Sequence, residues 1–382
     1  MKKIAVIFGT RPDTIKMAPV IRNLQKYKTD FKVVSIATAQ HRQMLDQVLS
    51  VFKIRPDYDL NIMEPKQTLA TLTKNVIGKL DKILDAEKPD LVLVQGDTST
   101  TFVGSLAAFY RQIPVGHVEA GLRTNNKYNP FPEEINRRLT GAIACLHFAP
   151  TETARKALIK ENISPDDIYV TGNTVIDALE IAVKSNYKFI VSALGEIIKQ
   201  KKKIILITMH RRENWGEPMR GACSAVKKLA LRYPGYNFVF PVHLNPVVKK
   251  IVHETLSGIQ NIYLIRPLEY PDFVNFMSKS HLIITDSGGI QEEGPHFGIP
   301  VIVLRKVTER PEAVKFGTVK LVGLDERQIF KTINRILSDK SAYRKMASSV
   351  NPYGDGLASV RIVQIIKNYF GISKKKITEF LP

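Results

Sequence analysis

Ile4–Ala5–Val6–Ile7–Phe8–Gly9–Thr10–Arg11–Pro12 runs five apolar residues into a glycine turn, two polar residues and a proline. The apolar run lacks the polar alternation of a half-exposed strand, so it reads as a strand buried on both faces. It is too short to span a bilayer, and its Gly–Thr–Arg end offers no small-residue cleavage site, so a first β-strand is expected rather than a signal peptide. Similar runs recur at residues 32–36, 91–94, 115–118, 146–149 and 168–170, and again at 204–208, 238–241, 262–265, 282–285 and 301–304. Amphipathic stretches separate them. Strand alternating with helix predicts a parallel sheet covered by helices on both faces. Two sets of strands predict an α/β protein of two Rossmann-like parallel-sheet domains.

The chain of 382 residues suits two cores better than one. The boundary is placed after Thr171–Gly172–Asn173. The N-terminal domain is expected over 1–172, joined by a C-terminal helix at about 358–382, and the nucleotide-binding C-terminal domain over 173–357. The turn-rich Asn351–Pro352–Tyr353–Gly354–Asp355–Gly356 leads into that last helix. No internal sequence repeat is visible, so the halves are expected to share architecture alone. No apolar run reaches membrane-spanning length. The two cysteines, Cys145 and Cys223, lie in no metal-like spacing and read as buried thiols of a cytoplasmic protein. A formal net charge of +20 fits nucleic acid or a phosphorylated ligand. The lysines are scattered and no aromatic-interleaved basic stripe accompanies them, so a solvated basic surface is preferred and no nucleic-acid partner is expected.

Ligands of open parallel sheets bind beyond the carboxyl ends of the strands, and the polar clusters fall there. Gly9, Arg11 and Lys16 combine a glycine loop, two cations and a following helix, which suits a diphosphate. Ser287–Gly288–Gly289 ends a strand and opens a helix whose amides can take phosphate, with Glu293 placed for ribose hydroxyls. A plain glycine turn explains either loop structurally. Neither is G-x-G-x-x-G, so no nicotinamide cofactor is implied. Asp97 and Glu119 each follow an apolar strand, where a carboxylate is costly unless used or paired. Glu133 opens a helix behind Pro132, with Arg137 one turn on along the same face. Capping or ion pairing is the structural alternative for each acid. His210, flanked by Arg211 and Arg212, can serve a phosphate leaving group or move a proton. His41 and His243 also follow strands, whereas His117 lies inside one and reads as core. The lone Trp215 reads as a packing residue.

Taken in order, GTRP with Lys16, QGDT, HVEAGLRT, PFPEEINRR, TGNTVIDAL, HRREN, DSGGIQEE and LRKVTERPE resemble the non-hydrolysing UDP-N-acetylglucosamine 2-epimerases from about residue 3 to residue 371. The resemblance implies two domains facing across a cleft in a glycosyltransferase-B-like arrangement, usually as a homodimer. It implies inversion at C2 of UDP-N-acetylglucosamine to UDP-N-acetylmannosamine for cell-envelope polysaccharide synthesis, by elimination and re-addition of UDP, without metal or other cofactor. Carried over, Asp97, Glu119, Glu133 and His210 become catalytic candidates. Arg11, Lys16, Arg137, Arg211, Ser287, Gly288, Gly289, Glu293 and Arg310 become substrate contacts. A second UDP-N-acetylglucosamine, as allosteric activator, is implied at Gln40, His41, Gln43, Lys66, Gln67 and His243. The sequence departs from the family pattern at Asp13, where Glu is usual, at Lys66, where Arg is frequent, and at Gly294, where Ala commonly precedes the proline. The rivals are a glycosyltransferase or a hydrolysing epimerase of the same architecture and, outside enzymes, a basic nucleic-acid-binding protein.

Overall fold

A computed structural model describes residues 1–38, 42–63 and 67–382 and, of residues 42–44, the backbone alone. The chain forms two units, Met1–Ile181 with Tyr353–Pro382, and Ala182–Pro352.

Unit 1 is built on a parallel sheet of seven strands: β1 (Lys2–Phe8), β2 (Phe31–Ala37), β3 (Tyr58–Asp59), β4 (Leu91–Gln95), β5 (Val115–Val118), β6 (Leu146–Ala149) and β7 (Ile168–Val170). Their spatial order is β3-β2-β1-β4-β5-β6-β7. Ile4 to Phe8 are all buried, as the unbroken apolar run requires, and Ile4 pairs in register with Val33 on one side and Leu91 on the other. Burying each such aliphatic side chain contributes about 1.5–3 kcal/mol before chain entropy is set against it.

Unit 2 repeats the plan with β8 (Lys203–Thr208), β9 (Tyr236–Pro241), β10 (Ile262–Ile265), β11 (Leu282–Thr285), β12 (Val301–Val303) and β13 (Val319–Leu321), in the order β10-β9-β8-β11-β12-β13. Counted within each unit, both sheets run 3-2-1-4-5-6, with a seventh strand added in the first. The strand order reverses between β1 and β4 and between β8 and β11, and the crevice at such a reversal is where an open α/β sheet takes its ligand. The two halves share no visible sequence repeat yet share this topology.

Two strands escaped the sequence reading. β3 is two residues long, and β13 is a short edge strand with Lys320 exposed, so neither carries a hydrophobic pattern strong enough to read. The crossing back to unit 1 is fixed by hydrogen bonds to its own side chains. Asp177 accepts from the Ala358 and Ser359 amides at 3.2 and 2.7 Å, so helix Thr174–Ala182 packs with the C-terminal helix Ala358–Tyr369. The first unit runs through Gly172 to Ile181. Gly172 itself has φ +83°, and a Cβ there would approach the Gly354 Cα at 3.3 Å.

Cys223 is buried in the unit 2 core, where burial pushes its thiol up to about 12, whereas Cys145 is half-buried rather than fully buried. Trp215 packs against the unit 2 core, as its sequence reading expected. Among the described residues no helix is long and apolar enough to cross a membrane.

Candidate active site

In unit 1, the loops after β1, β4 and β5 converge. Thr10 caps helix Arg11–Gln25 in a capping box with Asp13. Asp13 is buried and accepts from the Gly9 and Thr10 amides at 3.3 and 3.1 Å and from the Thr98 hydroxyl at 3.2 Å, so it ties the loop after β1 to the loop after β4. Burial raises its pKa despite these donors. The family-unusual aspartate is thus a well-held residue. Gly9 is required by space rather than conformation: a Cβ there would meet the Thr38 and Thr100 hydroxyls at 2.2 and 2.4 Å. Arg11 projects exposed at the helix start and Lys16, one turn further, is mostly buried.

Glu119 is the centre of this unit's polar network. It accepts from Lys16 and Gln95, and from the Asn173 amide nitrogen at 2.8 Å. Its φ of +63° lies in the left-handed region, which costs a non-glycine residue about 1–3 kcal/mol and collects at functional sites. The residue is 8% exposed. Asp97 is half-buried and paired with Arg137, and burial outweighs that guanidinium to leave its pKa raised. Asn136 donates to the Asp97 carbonyl at 3.0 Å, docking helix Glu133–Ile143 on this loop.

The Glu133–Arg137 spacing suggested a pair across one turn, but Arg137 turns to Asp97 and, at 3.4 Å, to Glu134. Glu134 is wholly buried and also takes the Thr124 and Asn125 amides at 3.0 and 3.1 Å, so it is the structural acid of this helix. That leaves one Glu133 carboxylate oxygen buried and without a hydrogen-bond partner among the described residues. A buried acceptor left unmet costs about 1–3 kcal/mol, and such a group in a native structure calls for a reason. His117 is core, as expected. Its Nε2 is 2.7 Å from the Gly96 carbonyl, and burial pushes its pKa down to about 3.

In unit 2 the reversal lies between the loops after β8 and β11. Asp286 is completely buried at the end of β11. Its carboxylate accepts from the His210 amide at 3.1 Å, the Arg211 amide at 3.0 Å and Asn214 Nδ2 at 2.9 Å, and lies 3.1 Å from His210 Nδ1. Burial alone would raise its pKa, yet His210 and the loop's donors hold it below the usual range. The arrangement fixes the His210 ring through Nδ1 and leaves Nε2 as its other edge, with the ring 46% exposed. Arg211 Nε donates to the Asp286 carbonyl at 2.9 Å. His243, after β9, stacks on His210 with ring centroids 6.5 Å apart.

Across the glycine loop, Arg310 Nε donates to Glu292 at 2.5 Å. A Cβ on Gly288 would stand 2.8 Å from an Arg310 nitrogen, so Gly288 is what lets the guanidinium lie against the loop. Thr308 donates to Gln291 at 2.6 Å and pins the same segment. Ser287 and Gly289 are partly open on this loop, and Glu293 follows in helix Ile290–His296. The Gly294 departure has a packing cause: a Cβ there would meet Val301 at 2.6 Å and Ile283 at 3.0 Å.

Of the residues assigned to an activator, Gln40, His41 and Lys66 lie outside the described residues, as does the side chain of Gln43. Gln67 donates to the Ile62 carbonyl at 2.9 Å, and the His243 ring accepts from the Asn245 amide at 3.2 Å. The sequence reading missed Asp286, Gln95, Asn173 and Glu292 as organisers of these loops. Asp286 carried the same signal as Asp97, an acid directly after an apolar strand.

Residues 22–367 match the sequence model of the UDP-N-acetylglucosamine 2-epimerase family. The chain is 53% identical to the UDP-N-acetylglucosamine 2-epimerase of Bacillus subtilis over 383 residues, covering 100% of this chain and 99% of that protein. Among solved structures it is similar to the Neisseria meningitidis UDP-GlcNAc 2-epimerase bound to UDP-GlcNAc, with TM-score 0.86, 51% identity and coverage of 96% and 100% of the two chains. It is also similar to Staphylococcus aureus MnaA in a co-structure with UDP, with TM-score 0.91, 47% identity and full coverage of both chains.

Proposed function

The chain belongs to the UDP-N-acetylglucosamine 2-epimerase family, and from that membership we infer how the two clusters divide the reaction. The protein is an isomerase acting on UDP-N-acetylglucosamine. The C2 proton of an N-acetylated sugar is weakly acidic, so the route is elimination. A carboxylate takes the C2 proton, the C1–oxygen bond to UDP breaks, and C1=C2 forms in a bound glucal. UDP then adds back at C1 as a proton enters C2 on the opposite face.

Two carboxyl groups in unlike environments are what such a two-faced proton transfer needs. The observation that carries this reading is the contrast in unit 1 between Asp97, whose pKa burial raises, and Glu133, which keeps a buried oxygen without a partner. Asp97 is suited to hold a proton and Glu133 to accept one, while Glu119 holds Lys16 and the loop after β5 in place. In unit 2, His210 braced on Asp286, with Arg211 and Arg310, is suited to charge growing on the departing diphosphate. Ser287, Gly288 and Gly289 supply close backbone approach, and Glu293 a carboxylate for ribose hydroxyls. Arg11 and Lys16 complete the cation set. No metal or nicotinamide enters this scheme.

Incubation with UDP-N-acetylglucosamine in D2O, followed by proton NMR, tests it. Deuterium should enter C2 of both epimers while the nucleotide sugar stays intact. Epimerisation with full retention of C2 protium would rule out elimination, and free N-acetylmannosamine as the main product would identify a hydrolysing enzyme.

The activator reading stands on the resemblance. It expects sigmoidal rate against UDP-N-acetylglucosamine and poor turnover of UDP-N-acetylmannosamine alone, and hyperbolic kinetics in both directions would remove it. A cytoplasmic homodimer serving cell-envelope polysaccharide synthesis completes the reading. Helices Ser99–Tyr110 and Glu133–Ile143 expose Phe109, Tyr110, Ile135 and Leu139, apolar side chains that a second copy would cover. A monomer by light scattering would count against it.

A further inference from the structure

The proposed chemistry leaves most of the positive charge unused, and the surplus is uneven. Unit 2 carries 27 Lys and Arg against 14 Asp and Glu, a net +13, although it is the smaller unit. Part of this charge lines one cavity of about 560 Å³ at the carboxyl ends of the edge strands β12 and β13. Its walls are the loop after β12, the loop after β13 and the face of helix Glu326–Ser338. The two loops are tied together, with the Val322 amide donating to Val303 at 3.0 Å and the Gly323 amide to Arg305 at 3.2 Å.

Five cations line it: Arg305, Lys306, Lys320, Lys331 and Arg335. Arg305 is neutralised by Glu309, which takes it through two bonds of 2.9 and 3.1 Å and whose pKa is held down at about 2. The other four have no acidic partner within 4.0 Å among the described residues. The single acid of the lining, Asp325, is occupied in capping the helix through the Gln328 amide at 2.8 Å. Four cations without an acidic partner on the wall of one cavity make a positive local potential that favours an anion there. The volume lies within the roughly 300–1,000 Å³ of small-molecule sites. No aromatic side chain lines the cavity, so it offers no surface on which a base would stack.

We propose that this edge cavity is a second anion site, separate from the loop of Ser287–Gly289, which takes a chain of linked phosphates. Lysines supply point charges and Arg335 a guanidinium that can fork onto two phosphate oxygens. The cavity sits at the sheet edge, whereas the reversal between β8 and β11 holds His210 and Asp286, so the two anion sites have different strands beneath them.

The test is calorimetric titration of the full-length protein with inorganic tripolyphosphate at physiological salt, with and without saturating UDP. The triple variant Lys320→Gln/Lys331→Gln/Arg335→Gln should bind tripolyphosphate at least about tenfold more weakly while keeping UDP affinity and turnover. A variant of equal charge loss elsewhere, Lys199→Gln/Lys201→Gln/Lys202→Gln, should leave tripolyphosphate binding unchanged. Both variants are surface changes, and retained UDP affinity reports that they fold. The proposal is overturned if both triple variants lose binding alike, since general surface charge would then be responsible. It is equally overturned if UDP displaces tripolyphosphate completely, or if single-stranded RNA binds the cavity more tightly than tripolyphosphate does.

Discussion

The reversal points of the two sheets invite comparison. Both lie between the first and fourth strand of a 3-2-1-4-5-6 order, and both carry a buried acid that organises the loops around it. In unit 1 the loops bring Glu119 to Lys16 and Asp97 to Arg137, with Glu133 opening the helix that carries Arg137. In unit 2 they gather His210, Arg211 and Arg310 around Asp286 and two glycines. On the proposed reading, one topology holds proton-transfer groups in one half and diphosphate-handling groups in the other. The framework positions the loops, and the residues on them decide the chemistry.

The largest expected effect breaks the unit 1 half. Asp97→Asn and Glu133→Gln should each lower kcat by about 100- to 10,000-fold, with UDP affinity changed by no more than a few-fold. Steady-state rates and UDP titration check this. A variant that remains folded and loses only a few-fold in kcat would remove that residue from the proton-transfer set.

Next in size is an acid limit set by unit 1. The folded pKa of His117, about 3, lies far below the ordinary 6.5, so the unfolded chain binds the extra proton first. Stability is fully present above about pH 6.5 and is lost as pH falls towards 3, by about 4–5 kcal/mol from this residue alone. His147, pushed down to about 4 by burial, adds in the same direction. Denaturant midpoints measured between pH 7 and pH 4 should fall, and His117→Gln should flatten the slope.

A smaller effect sharpens the unit 2 half. Asp286→Asn should lower kcat by roughly 10- to 100-fold, since the ring of His210 loses the carboxylate that braces its Nδ1 while its neighbours stay. Steady-state rates together with UDP titration check this, with UDP affinity changed by no more than a few-fold. An unchanged kcat in the folded variant would reduce Asp286 to a loop cap. The smallest expected effect is on binding: Gly288→Ala forces Arg310 away from the glycine loop and should weaken UDP by about tenfold, or 1.4 kcal/mol, with kcat less affected. Calorimetry reads it directly. Equal loss in kcat and affinity would place Arg310 in the bond-breaking step as well.

Much of this was legible in the chain. Strands buried on both faces announce themselves as unbroken β-branched runs, which is why β1, β4, β8 and β11 were readable and the two-residue β3 and half-exposed β13 were not. Glycines and acids directly after those runs mark the reversal points in the sequence itself. Asp286 bore that mark too, yet its neighbours Ser287–Gly289 drew attention to the loop's backbone instead. Gln95 and Asn173 could not be singled out, because an amide becomes informative once it is seen donating to Glu119.

The sequence alone determined the α/β class, the two sheets, the family and the polar loops at the strand ends, because short-range pattern and motif order fix these. The tertiary structure decided who pairs with whom. It turned Arg137 from Glu133 to Asp97, left a Glu133 oxygen without a partner, set Glu119 at φ +63° and extended the first unit through Asp177 to the C-terminal helix. It also gathered Lys306, Lys320, Lys331 and Arg335 around one cavity. Pairing, burial and electrostatic environment depend on residues far apart in the chain meeting at a few ångströms, and no local pattern encodes that distance.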